Sequence, residues 1–306
     1  MLGLREQIAS KLGFGSYAAY RYACYGRDYS IVEAQAFHEL VKTYIVPIFV
    51  EANLRAYYDV YDLYSAKYEQ KAFMDRFTSV LADNPAAAEA LRFMQDNELA
   101  DTAASDKKME SSFTTYVSSL ATPYIFTQWA DDSRSVGTIL HEFGHFMSYY
   151  YNPETGWSSG DSLDLAEIDS QGFTLLMTPY YNELYGEDYA ALARTEHLLD
   201  ALYAIVTGCM EDEFQQRVYA NPGMTLEQMN RLYAQLATAY GMEEVYGFSG
   251  MEWVLIPHSF QSPMYYISYA VSMVAALQLW EEQQTSEAEA WEAYWGIMMR
   301  GSYSDF

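Results

Sequence analysis

Cysteine is nearly absent: Cys24 and Cys209 are the two thiols in 306 residues. Thiols so far apart make no disulfide framework and cannot complete a thiolate metal site, so a reducing, cytoplasmic setting is expected. Basic residues are also scarce, 17 against 42 acidic ones, which leaves a net charge of −25. Phosphate contacts need clustered Lys and Arg, so this balance argues against a nucleic-acid binder and against anionic membrane surfaces. The surplus of carboxylates reads first as a solvated surface; in a binding role it would favour peptides with basic residues. Long apolar runs are missing as well. The N-terminus carries Arg5 and Lys11 inside an amphipathic pattern, with no core of signal-peptide length. The uncharged stretch 254–280 is interrupted by Pro257 and Pro263 and dotted with His258, Gln261, Ser268, Ser272 and Gln278. A spanning helix needs about 20 predominantly apolar residues, so a helix buried in protein is expected there instead.

What is abundant is apolar and aromatic material: half of the residues are hydrophobic and 30 are tyrosines. That suffices for a well-buried core. No internal repeat, low-complexity run or linker divides the chain. Most of it carries helical spacing. Residues 31–45 place Val32, Ala36, Phe37, Leu40, Val41, Tyr44 and Ile45 on one face, and Pro47 should end or kink that helix. Asn84–Pro85 reads as an N-cap followed by the first helical position. Thr225 and Gln228 form a capping-box pattern ahead of Met229, Leu232, Tyr233, Leu236 and Tyr240, with Gly241 as the stop. The exception is 112–129, where SFTTYVSSL and PYIFTQW favour two short strands or a hairpin. The expectation is one mainly α domain over 1–306 with a minor sheet: N-terminal helices to about 110, strands and metal helices to about 185, then C-terminal helices.

Directly after the strands comes DDSRSVGTILHEFGHFMSYYY, apolar at Val136, Ile139, Leu140, Phe143, Met147 and Tyr150. His141 and His145 are four apart, which puts both imidazoles on one helix face about a turn from each other, the separation two zinc ligands need. Glu142 stands beside the first histidine, where a general base for an activated water belongs. A chain with 5 histidines meets H-E-x-x-H by chance roughly one time in a hundred or fewer. Two imidazoles are not enough, and the downstream carboxylates are Asp161, Asp164, Glu167 and Asp169. Asp161 and Asp164 suit the first turn of a helix, where a carboxylate favours the dipole. Glu167, inside the helical pattern SLDLAEIDSQGFTLLM, is the favoured third ligand, ahead of Asp164. Asp169 or Ser170 would support a ligand imidazole from behind, unless Asp169 lies on an exposed face. His38 and His197 have acidic neighbours but no ligand spacing, and read as surface groups.

HEFGH followed by LAEIDSQGF resembles the oligoendopeptidase F branch of the thimet-type (M3) metallopeptidase family, whose pattern is HExGH followed by an E-x-x-S segment. RxxIAxxLGF (Arg5 to Phe14), TPYIFTQW, CMEDEFQQRVY with TLEQMNRLY, and IPHSFQSPMYYISYA resemble further stretches of that family in the same order. Two departures stand out. Many members carry a histidine where this chain has Ser148, and the segment His258–Tyr269 is one residue longer than usual. The family is also longer, so this chain is expected to match its catalytic half alone, either as a fragment completed by a missing N-terminal region or by self-association, or as a naturally minimal member.

The resemblance implies a zincin-like helical metallopeptidase domain with a small β-sheet beside the active site, and one zinc ion per chain on His141, His145 and Glu167. It implies Glu142 as the base and His258 with Tyr269 at the substrate carbonyl. Tyr265 and Tyr266, spaced i,i+4 and i,i+3 from Tyr269, are expected to help bind substrate. PYIFTQW is expected to offer an edge to an extended peptide. The expected activity is zinc-dependent cleavage of internal bonds in short peptides. A metallocarboxypeptidase with the same core would need a basic residue to grip the terminal carboxylate; no arginine or lysine close to either motif stands out for that role, Arg134 being the nearest. A catalytically silent peptide-binding fragment would have lost Glu142 or a ligand, and neither is lost.

Overall fold

Helix caps are the strongest local signals in the sequence, and the computed structural model, which describes residues 1–56, 60–109, 111–153 and 163–300, forms them. Among the described residues, α1 (Leu2–Lys11), α2 (Tyr17–Cys24), α3 (Ile31–Leu40), α4 (Val46–Ala56), α5 (Tyr61–Ser65), α6 (Gln70–Val80) and α7 (Pro85–Asp96) precede the sheet. The Asn84 side chain accepts from the Ala87 amide and Pro85 opens α7. Pro47 does not end its helix. A single π turn over Val41–Ile45 carries α3 into α4, and this wider turn just ahead of the proline accommodates a ring that would clash in a regular α-helix. The expected apolar face of α3 is also rotated. Ala34, His38 and Val41 are buried, whereas Val32, Leu40 and Tyr44 are exposed. The reason is His38, whose Nε2 lies 3.1 Å from Asp212 Oδ2 and pulls its own stripe inward.

The sheet has three strands, β1 (Ala100–Asp101), β2 (Phe113–Val117) and β3 (Thr122–Phe126), in the order β1–β3–β2. The expected hairpin is β2 with β3, antiparallel, with Thr114 opposite Ile125. The two-residue β1, too short for periodicity to reveal, pairs parallel to β3 on its other side. PYIFTQW therefore supplies the central strand and cannot offer an edge: both of its hydrogen-bonding sides are taken. The edge beside the following helix is β2.

That helix is α8 (Ser133–Tyr151), capped by Asp132, whose side chain accepts from the Ser135 amide. Then follow α9 (Leu163–Leu176), α10 (Tyr181–Tyr185), α11 (Ala190–Ala220), α12 (Leu226–Ala239), α13 (Met242–Tyr246), α14 (His258–Gln261), α15 (Ile267–Thr285) and α16 (Glu287–Met298). The sheet covers one side of α8, α9 packs on another, and α15 lies between α9 and α11. Phe77, Phe143 and Phe173 form the aromatic centre of the core under α8, with Phe143 edge-on to Phe77 at 5.3 Å and to Phe173 at 5.5 Å. The expected capping box of α12 is present, and Gly241 follows it with φ +72°, a left-handed stop that suits glycine. No helix among the described residues is long and apolar enough to cross a membrane.

α11 carries the polar run MEDEFQQ inside the protein. Its carboxylates meet different neighbours: Asp212 accepts through Oδ2 from Tyr22 of α2 at 2.8 Å, and Glu213 accepts from Tyr240 at 2.7 Å. Glu211 accepts from Tyr233 at one oxygen, but its Oε2 has no partner among the described residues, and burial pushes the carboxyl up to about 7. A carboxyl held above its unfolded value stabilises the fold below the ordinary carboxylate range and loses that contribution as the pH rises through about 7. Glu211→Gln, which keeps an acceptor for Tyr233, is therefore expected to gain on the order of 1–3 kcal/mol at pH 8 and much less at pH 5.5. Urea unfolding at the two pH values checks this, and an equal effect at both would refute it.

Candidate metal centre and active site

The apolar positions of α8 face the core, which leaves His141 and His145 on the side turned to α9 and the cleft. Their ring centroids are 5.0 Å apart. Glu167 comes up from α9, and its Oε2 lies 3.7 Å from His141 Nε2 and 3.6 Å from His145 Nε2. Ligand atoms around a tetrahedral zinc at about 2.0–2.1 Å sit roughly 3.3–3.4 Å apart. The three donor atoms, all within 4.8 Å of one another, thus fit such an ion with a small contraction. Burial and mutual repulsion lower the pKa of His141, and burial lowers that of His145, which favours the neutral imidazoles a metal requires.

The close approach of the two helices rests on one glycine. A Cβ at Gly144 would stand 2.4 Å from the Asp169 carbonyl oxygen and 2.6 Å from Ser170 Cα, both backbone atoms of α9. Gly→Ala inside a helix ordinarily gains up to about 1 kcal/mol. Here Gly144→Ala is expected to lose about 1–3 kcal/mol and to weaken metal binding, because α9 must move and carries Glu167 with it. Thermal unfolding with and without zinc reads both effects.

Glu142 is buried beside the histidines. Thr114 of β2 donates its hydroxyl to Glu142 Oε2 at 2.7 Å, and burial raises the Glu142 pKa above its ordinary value. Thr114 carried no signal in the sequence beyond strand propensity. Glu167 is held from two sides: Tyr265 donates to its Oε1 at 2.6 Å, and Ser170 donates to its carbonyl at 3.1 Å and to Oε2 at 3.2 Å. His258 stacks on Tyr265 with centroids 5.1 Å apart, and Tyr269 packs edge-on to Tyr265 and Tyr266 at 5.1 and 5.3 Å. The structure thus gathers His258, Tyr265, Tyr266 and Tyr269 against the Glu167 side of the centre. Burial lowers the pKa of His258, and its Nδ1 has no partner among the described residues.

Asp164 stands in the first turn of α9, buried, as the dipole argument expects; Asp161 lies outside the described residues. Arg27, in the connection after α2, reaches Asp164 Oδ1 at 3.5 Å and donates to Ser268 Oγ at 2.8 Å, so it ties the N-terminal helices to both α9 and α15. Asp169 is buried against Ser148, which hydrogen-bonds its carboxyl, and burial raises its pKa to about 7. His38 and His197 are not surface groups: both are buried, His38 against Asp212 and His197 against the Tyr181 hydroxyl. Without a charged partner, burial pushes His197 down to about 4. Arg134 proves to line the same cavity as His141 and Glu142.

A helical core, an H-E-x-x-H helix, a carboxylate helix crossing it at a glycine and a small sheet alongside define a zincin-like helical metallopeptidase fold. No family model matches the chain. Oligopeptidase PepF of Bacillus subtilis (strain 168) is 28% identical over 194 residues, 59% of this chain and 28% of that protein. The solved structure of PZ peptidase A with an inhibitor covers the whole chain at 25% identity and a TM-score of 0.88, using 58% of its own length. A protein from Bacillus anthracis strain Ames, assigned as an oligoendopeptidase F, does so at 25% identity and 0.83, using 56%. In sequence and in fold the chain is thus similar to oligoendopeptidase F and PepF-like peptidases. It spans little more than half the length of the solved relatives.

Proposed function

We propose that this chain is the catalytic part of a zinc-dependent endopeptidase that cuts internal bonds of short peptides. The observation that carries the reading is the convergence of His141, His145 and Glu167 donor atoms beside a buried Glu142 that Thr114 holds in place. The three residues would hold one zinc ion, which when bound polarises the peptide carbonyl and acidifies the attacking water. Glu142 takes the proton from that water and passes it to the leaving amine. Tyr269 and His258 donate to the oxyanion as it develops, and Tyr266 packs the substrate against them. Tyr265 spends its hydroxyl on Glu167 and keeps that carboxylate aimed at the ion. The free edge of β2, next to Glu142, pairs with the backbone of an extended peptide, which fixes register without selecting side chains. A further N-terminal region, or a second copy, would complete the substrate channel.

The test is mass-spectrometric digestion of a mixed short-peptide library by the zinc-loaded and the metal-stripped chain. Internal cuts by the loaded chain alone support the reading. Trimming from one terminus, or cutting that survives metal removal, overturns it.

A further inference from the structure

The cavity beside the metal centre carries a charge pattern that hydrolysis itself does not use. It encloses about 400 Å³ and runs from His141 and Glu142 past Arg134 of α8 to Gln171 of α9 and Glu196 and Asp200 of α11. We propose that it is the specificity pocket for the residue that follows the scissile bond, and that it selects a lysine or arginine side chain. The proposal rests on the peptidase reading above.

Glu196 and Asp200 are one helical turn apart and face the same space. Arg134 is the one cation on the described cavity wall, and its guanidinium lies over the Tyr64 ring at 4.7 Å. Two carboxylates against one guanidinium leave the pocket net negative. Burial, and after it the neighbouring Asp200, push the Glu196 carboxyl up to about 7, while Asp200 is exposed to solvent. A second feature is Gln171: it is 6% exposed and lines the cavity, and its Oε1, enclosed as it lies, has no hydrogen-bond partner among the described residues. A buried acceptor left unpaired is costly, and a turn of this amide would bring its oxygen to the cavity, where an ammonium or guanidinium can donate to it. His197 shares the wall, but it is held neutral against Tyr181 and adds no charge. Leu175 and Met273 give the methylene stem of a basic side chain an apolar wall to lie on. The position along the substrate follows from Glu142, which lines the same cavity. It returns its proton to the leaving amine, so the residue that bears this amine is the one whose side chain drops into the pocket.

The test uses three internally quenched peptide amides that differ only after the scissile bond, as Arg, Leu or Glu, plus the free acid ending at that Leu. Each is assayed with the zinc-loaded chain and with Glu196→Gln/Asp200→Asn. A kcat/KM ratio of Arg over Leu of about tenfold or more, falling toward one in the double variant, is expected. The ratio is internal to each protein, so partial misfolding does not mimic it. A ratio near one in the unaltered chain, or faster cleavage of the Glu peptide, overturns the proposal. So does a requirement for the free carboxylate, which would make Arg134 a clamp for a peptide's C-terminus. If no peptide is cut, the peptidase reading fails on its own, and the pocket is read by fluorescence anisotropy of the labelled Arg and Leu peptides on zinc-loaded Glu142→Gln. Tighter binding of the Arg peptide that is lost with the double variant supports the pocket; equal or unmeasurable binding overturns it.

Discussion

Glu142→Gln is expected to lower kcat about a thousandfold while the chain still takes up one zinc ion. The size follows from the role: a positioned acid–base group contributes typically 10²–10⁴-fold, and this one serves both the attack and the departure of the amine. The amide keeps an oxygen for the Thr114 hydroxyl and nearly the same volume, so the wall between β2 and α8 stays filled. It cannot accept the water's proton. Metal analysis and thermal unfolding should therefore match the unaltered chain, and single-turnover cleavage should not. A variant that retained a tenth or more of the activity would remove Glu142 from the chemistry and leave the zinc centre without its proton carrier.

The second large effect is expected at the metal itself. His145→Ala removes one of three donors from a centre in which Glu167 lies about equally far from both histidines. Two donors cannot hold the ion against water, so affinity should fall by more than about a hundredfold, beyond the 10–100-fold that supporting residues cost. Zinc titration followed by thermal unfolding reads this without any need for activity. A ligand present at about a thousand times its dissociation constant stabilises by about 4 kcal/mol, so zinc should raise the unfolding temperature of the unaltered chain clearly and that of His145→Ala hardly at all. Tyr265→Phe should fall between them, because Glu167 keeps Ser170 but loses the shorter of its hydrogen bonds. An equal zinc response in all three proteins would mean that the ion binds elsewhere.

The parts that could be read from the sequence are those whose signal is local. Asn84, Thr225 and Gly241 act on amides or carbonyls within four residues, and H-E-x-x-H needs only the pitch of its own helix. Glu167 could be placed because it shares helical spacing with the apolar residues around it. The misses are long-range. The rotated face of α3 is set by Asp212, 174 positions after His38, so the apolar pattern of 31–45 pointed to the wrong stripe. A histidine flanked by Glu196 reads as a surface group until Tyr181 and α8 close over it. β1 gains its identity from β3, not from its own two residues. Thr114 and Arg134 belong to elements whose register against α8 and α11 no spacing rule supplies.

Arg27 extends this dependence to the opposite end of the chain. Its guanidinium is wholly enclosed, stacked over Tyr22 at 4.3 Å, and bridges Asp164 and Ser268. Pulling it away would strand a buried carboxylate in the first turn of the helix that carries Glu167, a penalty of about 3–5 kcal/mol. In hydrogen-exchange terms, the amides around Tyr22 and those of α9 and α15 should open as one cooperative unit rather than fray separately. A protease nick near residue 27 would then register as faster exchange at the metal centre, even though the cut and the ligands are more than a hundred residues apart.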